Sequence, residues 1–128
     1  MSNLKFKHDV NSYEEAKALY EQGVSDLCYN TYLAKHHEDF VVMHHSTAIV
    51  TFHPDGSTTL NGAWVSATTA NRLHHYKPEI VERINRRSVE NGRYAARYIV
   101  TLRNHPGTVD IWEGQRYRFF PDYTVVSA

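Results

Sequence analysis

The stretch Phe40-Val41-Val42-Met43-His44-His45-Ser46-Thr47-Ala48-Ile49-Val50-Thr51-Phe52-His53, followed by Pro54-Asp55-Gly56-Ser57 and Thr58-Thr59-Leu60-Asn61-Gly62, decides how the chain folds. It is rich in β-branched and aromatic residues, which favour strands. Phe40–Met43 and Thr47–His53 read as strands. Pro54 fixes φ and Gly56 can take φ > 0, so a turn is expected between them. Thr58–Leu60 then forms a short return strand, and Asn61-Gly62 a second turn. If Phe40–His53 is nearly continuous, Phe40, Val42, His44, Ala48, Val50 and Phe52 share one mostly apolar face. Val41, Met43, His45, Thr47, Ile49, Thr51 and His53 share the other. The second face is an amphipathic mix that suits either a cleft lining or a surface in water.

Upstream, Ser12-Tyr13-Glu14-Glu15 has the form of a capping box, and Tyr13, Ala16, Leu19 and Tyr20 follow at helical spacing. A helix is expected over 13–22, ended by Gly23. Leu27–Leu33 reads as a strand, and His36-His37-Glu38-Asp39 as a turn. Downstream, Ser66 to Thr69 offer N-caps for a helix over 69–76, which must stop before Pro78. Ile80, Val81 and Ile84 are compatible with more helix. The Glu90-Asn91-Gly92-Arg93 turn favours instead a hairpin whose second strand is Arg93–Leu102. Asn104–Gly107 is a further turn, and Thr108–Trp112 with Gln115–Phe120 reads as a second hairpin around Glu113-Gly114. The expectation is one α+β domain spanning 1–128, an antiparallel β-sheet of hairpins with one or two short helices.

Composition narrows the classes. With 41% hydrophobic residues the 128-residue chain can build one core, and no apolar run reaches the roughly 20 residues of a membrane helix. The first residues lack an apolar signal region, and Cys28 is the only cysteine, so a reducing, cytoplasmic setting is expected. Net charge is zero, yet residues 1–76 carry 5 Lys/Arg against 8 Asp/Glu, and residues 77–128 carry 9 against 6. Arg83, Arg86, Arg87, Arg93, Arg97 and Arg103 fall in one stretch. They read either as a solvated face with local Glu partners or as an anion-binding patch.

Nine histidines raise the question of a metal or of acid–base chemistry. His44-His45 on a strand and His74-His75 on a helix diverge, and no His/Cys/Asp set has zinc spacing, so no metal or cofactor is expected. His45-Ser46-Thr47 matches the His-x-Thr element of two-histidine phosphoesterases, but the nearest second candidate, His105–Thr108, has the wrong spacing and falls in a turn. There is no Gly-x-Ser-x-Gly elbow and no phosphate-binding glycine loop, and Cys28 sits in an apolar strand.

The order Asn30-Thr31-Tyr32-Leu33, His45-Ser46-Thr47-Ala48-Ile49-Val50, Asp55-Gly56, Thr59-Leu60-Asn61-Gly62-Ala63-Trp64 and Thr68-Thr69-Ala70-Asn71-Arg72-Leu73 resembles a group of small, uncharacterised bacteriophage-encoded proteins. A weaker echo lies at Tyr117–Asp122. Gly62-Ala63 stands for a longer Gly-Gly step, His74 for an Asn, and 78–103 is unmatched. The resemblance implies a phage origin and no reaction. Within the matched residues, Asn30, His45, Thr47, Trp64, Thr68, Thr69 and Arg72 are the candidate ligand-binding set. Thr68 and Thr69 also read as helix caps, and Trp64 as core or as an indole at a cleft mouth. Arg72, one turn into a short helix, can receive an anion.

Three functions follow as expectations. One is a binder of a small anionic molecule, such as a cyclic nucleotide or ADP-ribose derivative, that sequesters a host immune signal and assembles as a homo-oligomer. Another is a metal-independent phosphodiesterase or nuclease with His45 as acid or base. The last is an adaptor for a host protein or a virion component.

Overall fold

The computed structural model describes residues 5–128 as an α+β domain. Helix α1 (Tyr13–Glu21) begins at Ser12, whose hydroxyl accepts from the Glu15 amide at 3.1 Å. The reciprocal arm reaches one residue further than a capping box requires, since Glu15 Oε1 accepts from the Asn11 amide at 2.8 Å. Gly23 follows at φ +84°, a conformation that terminates the helix without a Cβ penalty.

The large sheet holds seven antiparallel strands in the order β1 (Asp26–Cys28), β2 (Thr31–His36), β3 (Asp39–His44), β4 (Thr47–Phe52), β5 (Thr58–Asn61), β9 (Arg116–Phe119) and β10 (Val125–Ser127). The small sheet holds β6 (Val81–Glu90), β7 (Arg93–Leu102) and β8 (Thr108–Trp112), again antiparallel. Helix α2 (Ala67–His75) leads from the large sheet into the small one. One core joins all the layers, with Phe40, Val42, Val50, Phe52, Leu60 and Phe119 from the large sheet. Tyr98, Val100 and Ile111 enter it from the small sheet, and Leu73 and Tyr76 from α2 and its C-cap. Among the described residues no helix is long and apolar enough to cross a membrane.

The structure departs from the sequence expectations in three places. Leu27–Leu33 is not one strand: it folds back at Tyr29-Asn30, with Asn30 at φ +55°, and Cys28 opposes Thr31. Asparagine tolerates that region without the Gly or Pro that would announce a turn. Gln115–Phe120 does not return along Thr108–Trp112; β9 crosses to the large sheet and pairs with β5 and β10.

The last departure is a bulge. Across β3 and β4, His44 opposes Thr47 and Met43 opposes Ala48, but Val42 opposes Val50, so Ile49 is an extra residue. The period of two therefore slips between Ala48 and Val50. Thr47 lies on the core side with His44, whereas Thr51 lies on the outer side with Val41. The predicted face of His45, Thr47, Thr51 and His53 is divided between the two sides of the sheet.

The crossover to the large sheet rests on Gly62. Its amide donates to Gln115 O at 2.7 Å, and its carbonyl accepts from the Gly114 amide at 2.8 Å. A Cβ at this position would stand 2.7 Å from Ile111 Cγ2 and 3.0 Å from Gln115 O. Gly62→Ala is expected to destabilise the domain by about 1–3 kcal/mol through overpacking, read as a lower urea midpoint. Gly92→Ala, at a turn open to solvent but at φ +76°, separates backbone strain from crowding and is expected to cost less.

Candidate ligand-binding site

Where the core ends, between β4, the loop after β5 and the first turn of α2, the surface opens into a cavity of about 440 Å³. His44, His45, Thr47 and Ile49 line it from the β3–β4 hairpin. Asn61 and Trp64 line it from the end of β5 and the loop that follows, and Ser66, Thr68 and Thr69 from the helix.

The helix end is organised by Ser66, the N-cap, whose Oγ accepts from the Thr69 amide at 3.1 Å and donates to Thr69 Oγ1 at 3.0 Å. Thr68 and Thr69 are thus residues of the first turn, and the capping role expected of them falls to Ser66. The Ala67 and Thr68 amides lie too early in the helix for an i−4 partner and stand at its positive end. The loop is anchored by Tyr98, whose hydroxyl donates to Trp64 O and accepts from the Ser66 amide. This fixes the backbone of Trp64 while its indole stays 70% exposed, so the residue belongs to the cavity's rim and not to the core.

Arg72 does not line the cavity. It is 3% exposed and its guanidinium is committed to the protein: Nε donates to Thr31 Oγ1 at 2.6 Å, Nη2 to Tyr29 O at 2.7 Å and Nη1 to Thr68 O at 3.1 Å. Arg72 is therefore not a ligand contact at this cavity. Its charge remains, because among the described residues no carboxylate lies within 4.0 Å of it. A buried cation lacking an acidic partner projects a positive potential into its surroundings.

The alternation of the strand places His44 on the mostly apolar face, and its position beside Arg72 comes from a pairing the sequence does not declare, Thr31 opposite His44. The Thr31 hydroxyl donates to Tyr29 O at 3.1 Å and already accepts from Arg72. Its remaining lone pair, 3.3 Å from His44 Nδ1, can only accept, so Nδ1 carries the proton. Burial lowers the His44 pKa, Arg72 and His45 lower it further, and the Asn30 backbone opposes them. His44 is therefore neutral near pH 7, and its Nε2 has no partner among the described residues. A lone pair on a side chain only 9% exposed is left at the wall of the cavity.

His45 occupies the hairpin turn at φ +54°, held by its amide donating to Asn30 O at 2.9 Å, with its ring 4.4 Å from that of His44. Asn30 supplies this carbonyl and does not line the cavity. The candidate set thus divides. His45, Thr47, Trp64, Thr68 and Thr69 meet at the cavity, whereas Asn30 and Arg72 build its support; His44, Ile49, Asn61 and Ser66 are additions. Among the described residues no cluster of His, Cys, Asp or Glu could hold a metal.

The arginines of the small sheet are mostly engaged. Arg97, 7% exposed, lies 2.8 Å from Glu90 and 3.1 Å from Asp110 and stacks on Trp112, while Arg83 pairs with Glu82 and Arg87 with Glu90. Arg83, Arg87 and Arg97 thus have the local acidic partners of the first reading, whereas Arg86 donates to Ser88 Oγ and Arg103 to backbone carbonyls. No protein-family model, no curated protein and no solved structure matches the chain.

Burial lowers the pKa of His74 as well, with Lys77 and His75 adding to it. Because the folded state holds both histidines below their ordinary 6.5, the unfolded chain takes up the protons more readily. Stability is therefore complete above about pH 6.5 and is lost as the pH falls through and below that value. Melting temperature is expected to be flat from pH 7 to 8 and to fall toward pH 5, with a shallower fall in His44→Gln. Nitrogen-15 shifts of the His44 ring are expected to show the Nδ1–H tautomer at neutral pH.

Proposed function

We propose that the protein binds a small anionic ligand in the cavity at the N-terminus of α2. In the phage setting that its sequence resembles, the ligand is a host immune signalling nucleotide, sequestered in the host cytoplasm as an anti-defence measure. The observation that carries this reading is electrostatic. The polar lining consists of two histidines, hydroxyls and one amide, with no carboxylate, and the unneutralised guanidinium of Arg72 lies behind it. A helix N-terminus in such a field suits a phosphate.

The rest of the lining fits a nucleotide. The exposed Trp64 indole offers a stacking surface for a base, and His44 Nε2 can accept from a ribose hydroxyl or a base N–H. Cyclic nucleotides and ADP-ribose derivatives combine these groups. The same Nε2 favours a second reading, a metal-independent phosphodiesterase in which His44, not His45, is the general base.

Incubation with a panel of cyclic and ADP-ribose-type nucleotides, followed by chromatography before and after heat denaturation, tests both. Sequestration is expected to remove one nucleotide from solution and return it intact on heating; conversion to a new species supports the enzyme, and no change rejects both. Trp64→Ala is expected to weaken binding roughly tenfold through lost stacking, with an unchanged urea midpoint because the indole is exposed. His45→Asn keeps the left-handed turn and so tests that ring without disturbing the hairpin.

A further inference from the structure

On the outer side of the large sheet, away from the cavity just described, the bulge in β4 brings together three side chains that the proposed binding function does not use. Asp39 at the start of β3 places Oδ1 3.1 Å from His53 Nδ1, and His53 Nε2 lies 2.7 Å from Thr59 Oγ1 on β5. A carboxylate accepts only, so His53 carries its proton on Nδ1 and turns the Nε2 lone pair toward the threonine hydroxyl. An acid orienting an imidazole that bonds a hydroxyl is the arrangement by which hydrolases activate a nucleophile.

The hydroxyl is also placed for use. His53 and Thr59 line a surface cavity of about 410 Å³ together with Arg116, Arg118 and Phe120. Arg118 is held by Asp55 at 2.9 Å and by Ser57 at 2.7 Å, whereas Arg116 is exposed and pairs with no carboxylate among the described residues. The His53 side chain is 14% exposed and that of Asp39 32%, so the base is sheltered without being sealed.

We propose that Asp39, His53 and Thr59 form a second site, a nucleophilic centre that accepts an acyl group from a carboxylic ester bearing an anionic substituent. Thr59 Oγ1 adds to the ester carbonyl carbon while its proton passes to His53 Nε2. The carbon–oxygen bond to the alcohol breaks, and that proton leaves with the alcohol, giving acyl-Thr59. Water then gives a proton to the same imidazole and adds to the acyl carbon; the Thr59 Oγ1–carbon bond breaks, Thr59 takes that proton back, and the carboxylic acid is released. Thr59 pairs with Thr51 on one side and Arg118 on the other within the ladder of the sheet, so charge developing on the carbonyl oxygen falls to the guanidinium groups of the cavity. Asp39 is a positioning residue.

The test uses the whole protein and two probes, 4-nitrophenyl acetate and an alkyl fluorophosphonate. The latter would form an Oγ1–P bond with loss of fluoride. Intact mass and peptide mapping are expected to show one adduct, on Thr59. It should be absent in Thr59→Val, retained in Thr59→Ser, and formed at least tenfold more slowly in His53→Gln and Asp39→Asn. The wild-type rate is expected to depend on pH, and His53→Gln should abolish that dependence. Trp64→Ala should label like the wild type, because it belongs to the other cavity. No adduct above that of urea-unfolded protein, an adduct elsewhere, or equal rates in wild type and folded His53→Gln would overturn the proposal. If Thr59→Val does not fold, the His53 and Asp39 variants and the adduct position decide it.

Discussion

The guanidinium of Arg72 ties its own helix to a hairpin distant in sequence: it donates to Thr68 O in the first turn of α2, to Tyr29 O in the β1–β2 turn and to Thr31 Oγ1 at the start of β2. Burying a charge costs several kcal/mol, and only a well-made set of hydrogen bonds offsets it. Removing the side chain would strand these acceptors, at about 1–3 kcal/mol for each left unsatisfied. The clamp holds the helix end against the hairpin and so shapes the cavity. By using one lone pair of the Thr31 hydroxyl it also selects the tautomer of His44.

The second constraint is spatial. Gly62 lets β5 approach the end of β8 closely enough for two backbone hydrogen bonds, and from there β9 departs for the large sheet. Arg72 and Gly62 hold opposite ends of the segment that contains Trp64, Ser66, Thr68 and Thr69. The rim of the cavity is stretched between them, and Tyr98 fastens its middle.

Local chemistry was legible in the sequence wherever one residue type compels one geometry. Asn91-Gly92, with both φ positive, closes its hairpin where expected, and Ser12 and Gly23 bracket α1 as read. The turn at Tyr29-Asn30 escaped because asparagine enters the left-handed region without advertising it, and its neighbours are strand formers. The partner of β9 escaped because Gln115–Phe120 has the same pattern whichever strand it meets; the choice is made by Gly62, far away in the chain. Most of the cavity's polar residues were visible as a motif, but their roles were not. Arg72 looked like a ligand-facing cation because sequence shows its charge and not its burial. His44 looked apolar by periodicity, and Trp64 was equally compatible with the core and with a rim. Only the fold distinguishes those cases.

The extra residue at Ile49 has a consequence for how the protein can be altered. Thr47 and Thr51 are four positions apart and would ordinarily share a surface, so remodelling one would disturb the environment of the other. With the slip between them they belong to separate territories, one beside His44 and one beside His53. Substitutions in the two groups share no partner, and their effects should sum as independent increments. A lineage or an engineer could thus rewrite one side of this strand while leaving the other untouched.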